Sequence, residues 1–515
     1  MNKDELRQRR KTISAGGGDK KHAQRREKGQ LSARDRLALL FNADTFQESG
    51  AHARHDARFF GLSEQKLPAD GVVTGTGYVN ECQVAAFSQD FTVFAGTLGR
   101  MHAKKIVSLQ QYALKMGVPV VAIQDSGGAR IQEGVDALSG YGRVFYQNVM
   151  LSGVVPQIAL VLGPCAGGAS YSPALMDFII MTRENAYMFI TGPEIIKAVT
   201  GQSYGMADVG GADMHAAVSG NVHFLAEDDA HAVAIARELL SYLPANNTED
   251  PPHQLEADLD LEMDDSLAAL LPDDQSEPFD MRELIVRLVD DGEWLEVHAS
   301  FAQNLLVGFA RVGGVVAGLV ANQSLELAGA LNIDAADKGA RFIRFCNVFN
   351  IPLLTLVDVP GFLPGVEQER GGIIRHGAKM LYAYASCTTP KVTVVLRKAF
   401  GGSYLAMCSQ EMGADVVFAW PSAEIAVMGA EGAVKLLYKK ELAACEDPKE
   451  RATASAEFIE AYRREFASPY LSAARGYIND IIDPSETRLQ VAISLRKMLD
   501  KRELRPAKKH GNIPL

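Results

Sequence analysis

GVPVVAIQDSGGA, residues 117–129, and NIPLLTLVDVPGF, residues 350–362, follow one pattern: a Pro, an apolar run, then Asp and glycine punctuation. Pro119 and Pro352 stand 233 residues apart, and so do Asp125 and Asp358. Further on, VVPQIALVLGPCAGGASY answers TTPKVTVVLRKAFGGSY, with Pro156 and Pro390 at an offset of 234. The pairs Gly167-Gly168 and Gly401-Gly402 keep that 234. Upstream, Gln89 pairs with Gln323 and Lys104 with Lys338, each again at 234. Anchors that recur at a nearly constant offset mark an internal duplication.

Each copy has the same grammar. The runs 120–123, 158–162, 353–357 and 392–396 are short, apolar and rich in β-branched residues, which predicts buried strands. Helical patterns follow each, so the sheets should be parallel with right-handed crossovers. The predicted class is α/β, with two tandem domains at residues 31–255 and 279–515. Pro, Asp and Asn accumulate from about residue 245 to 278, which puts a linker at 256–278. Residues 1–30 are charged and helical in pattern; they should lie outside the first core, on a neighbour or on the second domain.

In both copies a buried strand ends in Gly-Gly and runs into a helix: Gly167-Gly168-Ala169-Ser170-Tyr171 and Gly401-Gly402-Ser403-Tyr404. Glycine lets the backbone come close to a ligand, and a helix start offers unpaired N–H groups to an anion. No Ser-His-Asp set or cluster of metal ligands accompanies the turns. The six cysteines are scattered without a CxxC pair, so no metal is expected. Backbone donors would carry the chemistry. Two such turns suit a reaction with two partners that each gain negative charge on oxygen. Transfer of CO2 from N-carboxybiotin to an acyl-CoA is one: the ureido oxygen and the thioester oxygen both become anionic, and the ureido nitrogen can take the α-proton.

Longer strings carry a resemblance. DSGGARIQEGVDALSGYG (125–142), GPCAGGASYSPALMDFIIM (163–181) and MFITGPEIIKAVTG (188–201) resemble the first half of propionyl-CoA carboxylase β chains. DVPGFLPGVEQERGGIIRHGAKMLYAY (358–384), FAWPSAEIAVMGAEGAV (418–434) and KKHGNIPL (508–515) resemble the second half. The likeness runs from about residue 28 to 515. It implies two crotonase-like domains with ββα spiral cores, and a homohexamer with active sites between subunits. It also implies acyl-CoA on the N-terminal domain of one subunit and biotin on the C-terminal domain of its neighbour. By motif position, the amides of Gly167 and Gly168 would hold the thioester oxygen, and those of Gly402 and Ser403 the biotin ureido oxygen. Ser403 stands where the family usually has Ala. Leu405 stands where propionyl-CoA carboxylases usually carry Asp at the acyl pocket. There GGSYLAMCSQEMGAD is more similar to the α chains of methylmalonyl-CoA decarboxylases, which run the half-reaction in reverse.

Around the turns, Ala169, Tyr171, Tyr404 and Leu405 are expected to shape the substrate pocket. Asp125, Arg130 and Glu133 would either line the cleft or cap a helix. Lys104 and Lys105 are candidates for CoA phosphates, and His376 for a base. A crotonase-type hydratase or isomerase would need only one such turn and a Glu pair. A non-catalytic CoA-binding scaffold would need neither.

The formal net charge of −11 speaks against a nucleic-acid partner. No biotinylation motif and no P-loop is present. The biotin carboxyl carrier and biotin carboxylase, or a decarboxylase membrane partner, are therefore expected on other chains. The N-terminus lacks an apolar core of the signal-peptide kind, and no run is long enough to insert in a membrane. A cytoplasmic enzyme is the expectation.

Overall fold

The computed structural model of the chain describes residues 3–256 and 263–515. It forms two compact units, Met1–Asp250 and Pro251–Leu515. Each is built on an 8-stranded sheet among the described residues.

In the first unit β1 (Gln47–Ser49), β2 (Val72–Val79), β3 (Cys82–Gln89), β4 (Val120–Ser126), β5 (Gln157–Ala166), β6 (Phe178–Thr182) and β8 (Phe224–Ala226) lie in that order. The strand between the last two, β7 (Tyr187–Phe189), pairs with the end of β5. β2 and β3 form an antiparallel pair, and β3 to β6 run parallel. Every residue of β4 is buried, which is why it reads as an unbroken apolar run rather than an alternation. Helices α3 (Arg100–Met116) and α4 (Val135–Leu151) supply the crossovers and bury Ala103, Ile106, Leu109, Tyr141 and Val144 in one core with Val120 and Ala159.

The second unit repeats this. β9 (Trp294–Val297), β10 (Leu305–Val312), β11 (Val315–Asn322), β12 (Leu353–Val359), β13 (Lys391–Phe400), β14 (Val416–Ala419) and β16 (Asp480–Ile481) lie edge to edge, with β15 (Glu424–Ala426) on the end of β13. β4 and β12 both slip register against the next strand, between Gln124 and Ser126 and between Val357 and Val359. The loops that follow are stitched alike. Leu98 donates to the Gly128 carbonyl at 2.9 Å, and Leu331 to that of Gly361 at 3.1 Å. The fold is thus a duplicated α/β architecture.

Two pairings from the repeat shift by one residue. Asp125 N–H donates to Gln89 Oε1 at 3.1 Å, and Asp358 N–H to Asn322 Oδ1 at 3.2 Å. The counterpart of Gln89 is therefore Asn322, not Gln323. Likewise Lys105, not Lys104, matches Lys338. Both ammoniums are buried and hold loop carbonyls: Lys105 those of Ala69 and Val72, Lys338 those of His298, Phe301 and Ala302 at 3.0, 2.7 and 3.3 Å.

Within the chain, the opening segment is tied to the first unit. α1 (Lys3–Ser14) and α2 (Asp19–Arg26) belong to the first unit. Gly17 N–H donates to Thr92 Oγ1 at 3.0 Å, Lys21 Nζ to the Thr92 carbonyl at 2.8 Å, and Arg25 pairs with Asp125. The units divide after Asp250, and within the expected linker Leu267 is buried in the second core. Residues 257–262 of that stretch lie outside the described residues.

Candidate active site

The two Gly-Gly turns have the same geometry. Gly167, at φ 59°, ends β5, and Gly401, at φ 57°, ends β13. At this left-handed φ a side chain would be strained, and at Gly401 a Cβ would also stand 2.9 Å from the Val427 carbonyl. A helical turn begins at once in each, over Gly167–Ser170 and Gly401–Ala406. The first N–H groups of a helix have no carbonyl of their own turn to bond. Here they belong to Gly167, Gly168 and Ala169, and to Gly401, Gly402 and Ser403.

A buried hydroxyl locks each turn. Ser170 Oγ donates to the Cys165 carbonyl at 2.6 Å, and Ser403 Oγ to that of Phe400 at 2.7 Å. Gly402 is exposed, and no atom lies within 4 Å of where its Cβ would be. Gly168 is half-buried against Tyr141, with a Cβ position 3.4 Å from the ring. Tyr171 and Leu405 occupy matched positions after the turns and are 50% and 39% exposed, so they rim the two openings. Tyr404 is buried, and burial pushes its phenol well above the usual range, so its ring packs below the second turn.

Asp125 and Arg130 are enclosed rather than presented to a cleft. Both are fully buried. Arg130 Nη1 pairs with Asp70 and Glu133, each at 2.7 Å, and Glu133 also accepts from the N–H of Arg100 at 2.7 Å. Asp125 accepts from Arg25 and, at 2.7 Å, from Arg36, which reaches Asp229 at 2.7 Å. Charges buried this way are tolerated because each carries its counter-charge and hydrogen bonds. His376 Nδ1 lies 2.9 Å from Asp337, with Lys379 Nζ at 2.8 Å from the same carboxylate; it ties two helices together. Lys105 is spent on carbonyls, while Lys104 is exposed. Among the described residues no group of three or more His, Cys, Asp or Glu could hold a metal ion.

The arginines Arg25, Arg36 and Arg397 escaped the sequence reading. Arg397 left a signal: a guanidinium in the otherwise apolar KVTVVLRKAF requires a buried partner, which is Asp358 at 2.8 Å. Arg25 and Arg36 left none, because charged helices near a terminus are ordinarily solvated.

Beside β5 and β7 a cavity of about 600 Å³ is lined by Lys21, Arg25 and Lys28 together with Phe91, Pro164 and Tyr187. Pro164 and Tyr187 are paired across the strands that lead into the first turn.

The carboxyl transferase domain family matches residues 24–513. The chain belongs to that family. A methylmalonyl-CoA carboxyltransferase 12S subunit from Propionibacterium freudenreichii subsp. shermanii is 53% identical over 511 residues, covering 99% of this chain and 97% of the relative. A methylmalonyl-CoA decarboxylase subunit alpha from Veillonella parvula is 52% identical over 503 residues, covering 98% and 97%. A transcarboxylase 12S crystal structure, described as a hexamer assembly with methylmalonyl-coenzyme A and methylmalonic acid bound, superposes with a TM-score of 0.96. It is 53% identical, over 99% of this chain and 98% of that one. This carboxyltransferase is an enzyme, as the paired turns led us to expect, and the duplicated crotonase-like fold stands.

Proposed function

We propose that the chain moves a carboxyl group between carboxybiotin on a partner chain and the α-carbon of a short acyl-CoA, with propionyl-CoA and methylmalonyl-CoA as the acyl pair. One observation carries this: a Gly-Gly turn with nearly the same φ, each held by a buried serine hydroxyl and each opening a helical turn, at the same strand end in both units.

The amides of Gly167-Gly168 would hold the thioester oxygen as the α-carbon becomes an enolate. Those of Gly402-Ser403 would hold the ureido oxygen. Such donors are already aimed when charge develops, and losing one typically costs about 3–4 kcal/mol of transition-state stabilisation. The second turn fits a ureido ring, because nothing stands over the Gly402 Cβ position. Carboxybiotin, when bound, supplies the CO2 and a nitrogen able to take the α-proton, so no side-chain base is required of this chain. The cavity at which Lys21 and Lys28 stand suits the CoA phosphates.

The proposal extends to a homohexamer, to a biotin carboxyl carrier and biotin carboxylase as partners, and to a cytoplasmic setting. Among the described residues no helix is long and apolar enough to cross a membrane. Leu405 favours a second reading, the reverse reaction of a decarboxylase α chain with a membrane partner, since it replaces the Asp usual in carboxylases.

The test mixes the purified chain with free biotin and methylmalonyl-CoA or malonyl-CoA. Biotin-dependent formation of propionyl-CoA supports the reading. Preference for malonyl-CoA would reassign the acyl group, and no biotin-dependent turnover with either would refute it.

A further inference from the structure

The buried aspartates behind the two turns are neutralised differently. Asp358 is served from within its own sheet: Arg397 Nη2 donates to Oδ2 at 2.8 Å and the Lys398 N–H to Oδ1 at 3.1 Å. At an offset of 234 these two positions are Gly163 and Pro164 in the first unit. Gly163 offers no guanidinium, and a Cβ there would stand 2.1 Å from Asp125 Oδ1. Pro164 has no N–H. Asp125 Oδ1 accordingly has no donor among the described residues. All compensation arrives at Oδ2, from Arg36 and from Arg25 on the opening helix α2.

The carboxylate sits close to the chemistry. The next residue, Ser126, pairs with Cys165, where the register slips. The Cys165 carbonyl accepts the Ser170 hydroxyl that locks the turn. The loop after β4 presses on the same place, since a Cβ at Gly128 would stand 3.0 Å from the Ala166 carbonyl.

We propose that Arg25 is a positioning residue for the first turn, acting through Asp125: it completes the neutralisation that Gly163 and Pro164 cannot supply, and so fixes the Gly167 and Gly168 amides. Its guanidinium also lies 5.3 Å from the centre of the Phe91 ring, which holds it over the strand ends. The proposal rests on the reading that the first turn holds the thioester oxygen.

The experiment uses the full chain with methylmalonyl-CoA and free biotin, scored per folded molecule. Arg25→Met should lower kcat at least tenfold and move KM less than threefold. Arg25→Lys should keep most of kcat. Asp125→Asn added to Arg25→Met should recover kcat at least threefold by removing the unbalanced charge, and Pro164→Ala should recover part by supplying an N–H to Oδ1. A rise in KM alone would make Arg25 a direct ligand of CoA and overturn the proposal. So would a melting temperature that falls while kcat per folded molecule holds, or a double variant no better than Arg25→Met. Should Arg25→Met fail to fold, the comparison of Arg25→Lys with Arg25→Lys/Asp125→Asn decides: the single variant should keep most of kcat and the double, left with one cation in excess, should lose at least threefold, and a double variant equal to the single would overturn the proposal. Gly168→Val separates the two readings. If it leaves kcat intact, the thioester assignment itself fails; if it abolishes kcat while Arg25→Met is silent, only the positioning role falls.

Discussion

Neighbouring glycines at the second turn do different jobs. Gly401 combines a positive φ with a carbonyl 2.9 Å from its Cβ position, so Gly401→Ala should cost about 1–3 kcal/mol of stability in a denaturant titration. Gly402 has neither constraint. Gly402→Leu should fold with an unchanged midpoint and yet lose about 100-fold or more in biotin-dependent transfer, because its side chain would stand over the donors. The buried lysines set a pH dependence. Burial drags the Lys338 ammonium from 10.5 down to about 7, and that of Lys105 to about 8. Above those values the folded chain has released protons that the unfolded chain still binds, up to about pH 10.5. Stability should therefore rise with pH from about 7 towards 10.5, and Lys338→Met should flatten the rise, as read from urea midpoints at several pH values.

At the scale of elements, the helix Thr487–Lys497 is fastened to the residue that follows β14 by one buried bond, Trp420 Nε1 to Thr487 Oγ1 at 2.9 Å. Thr487→Val keeps the shape and orphans the indole N–H, so it should cost about 1–3 kcal/mol in equilibrium unfolding. The strands, the helices that cross between them and both turns were legible in the sequence because their signals are local. An apolar run flanked by Pro and Gly needs no partner to be recognised. What stayed hidden is long-range. Nothing near Arg25 announces a carboxylate 100 residues on, and nothing near Gln89 tells that Asn322 rather than Gln323 takes its place. Only the hydrogen bond to the aspartate N–H, the same in both units, settles which residue is which. Asp125 and Arg130 stand out in the sequence, but which of the two readings holds is not local, since charge in a sequence does not say whether it faces a cleft or another charge.

For the whole molecule, charge matters through its distribution. The chain carries a formal −11, while its acyl-CoA substrate is itself an anion. Attraction must be local, from Lys21 and Lys28 around one cavity. Salt screens such contacts over about 8–10 Å, so KM for acyl-CoA should rise as ionic strength increases, while KM for the uncharged biotin amide should stay level. Lys21→Glu should reproduce the rise at low salt. The unequal neutralisation of the two aspartates has a last consequence, in the order of synthesis. Arg25 and Arg36 are translated 100 and 89 residues before Asp125, so on the ribosome that carboxylate emerges into a chain already holding its counter-charges. Asp358 emerges 39 residues ahead of Arg397. At about 5–20 residues per second it is exposed alone for roughly 2–8 seconds. A translational pause in that interval would strand the second half of the nascent chain, and leave the first half able to close.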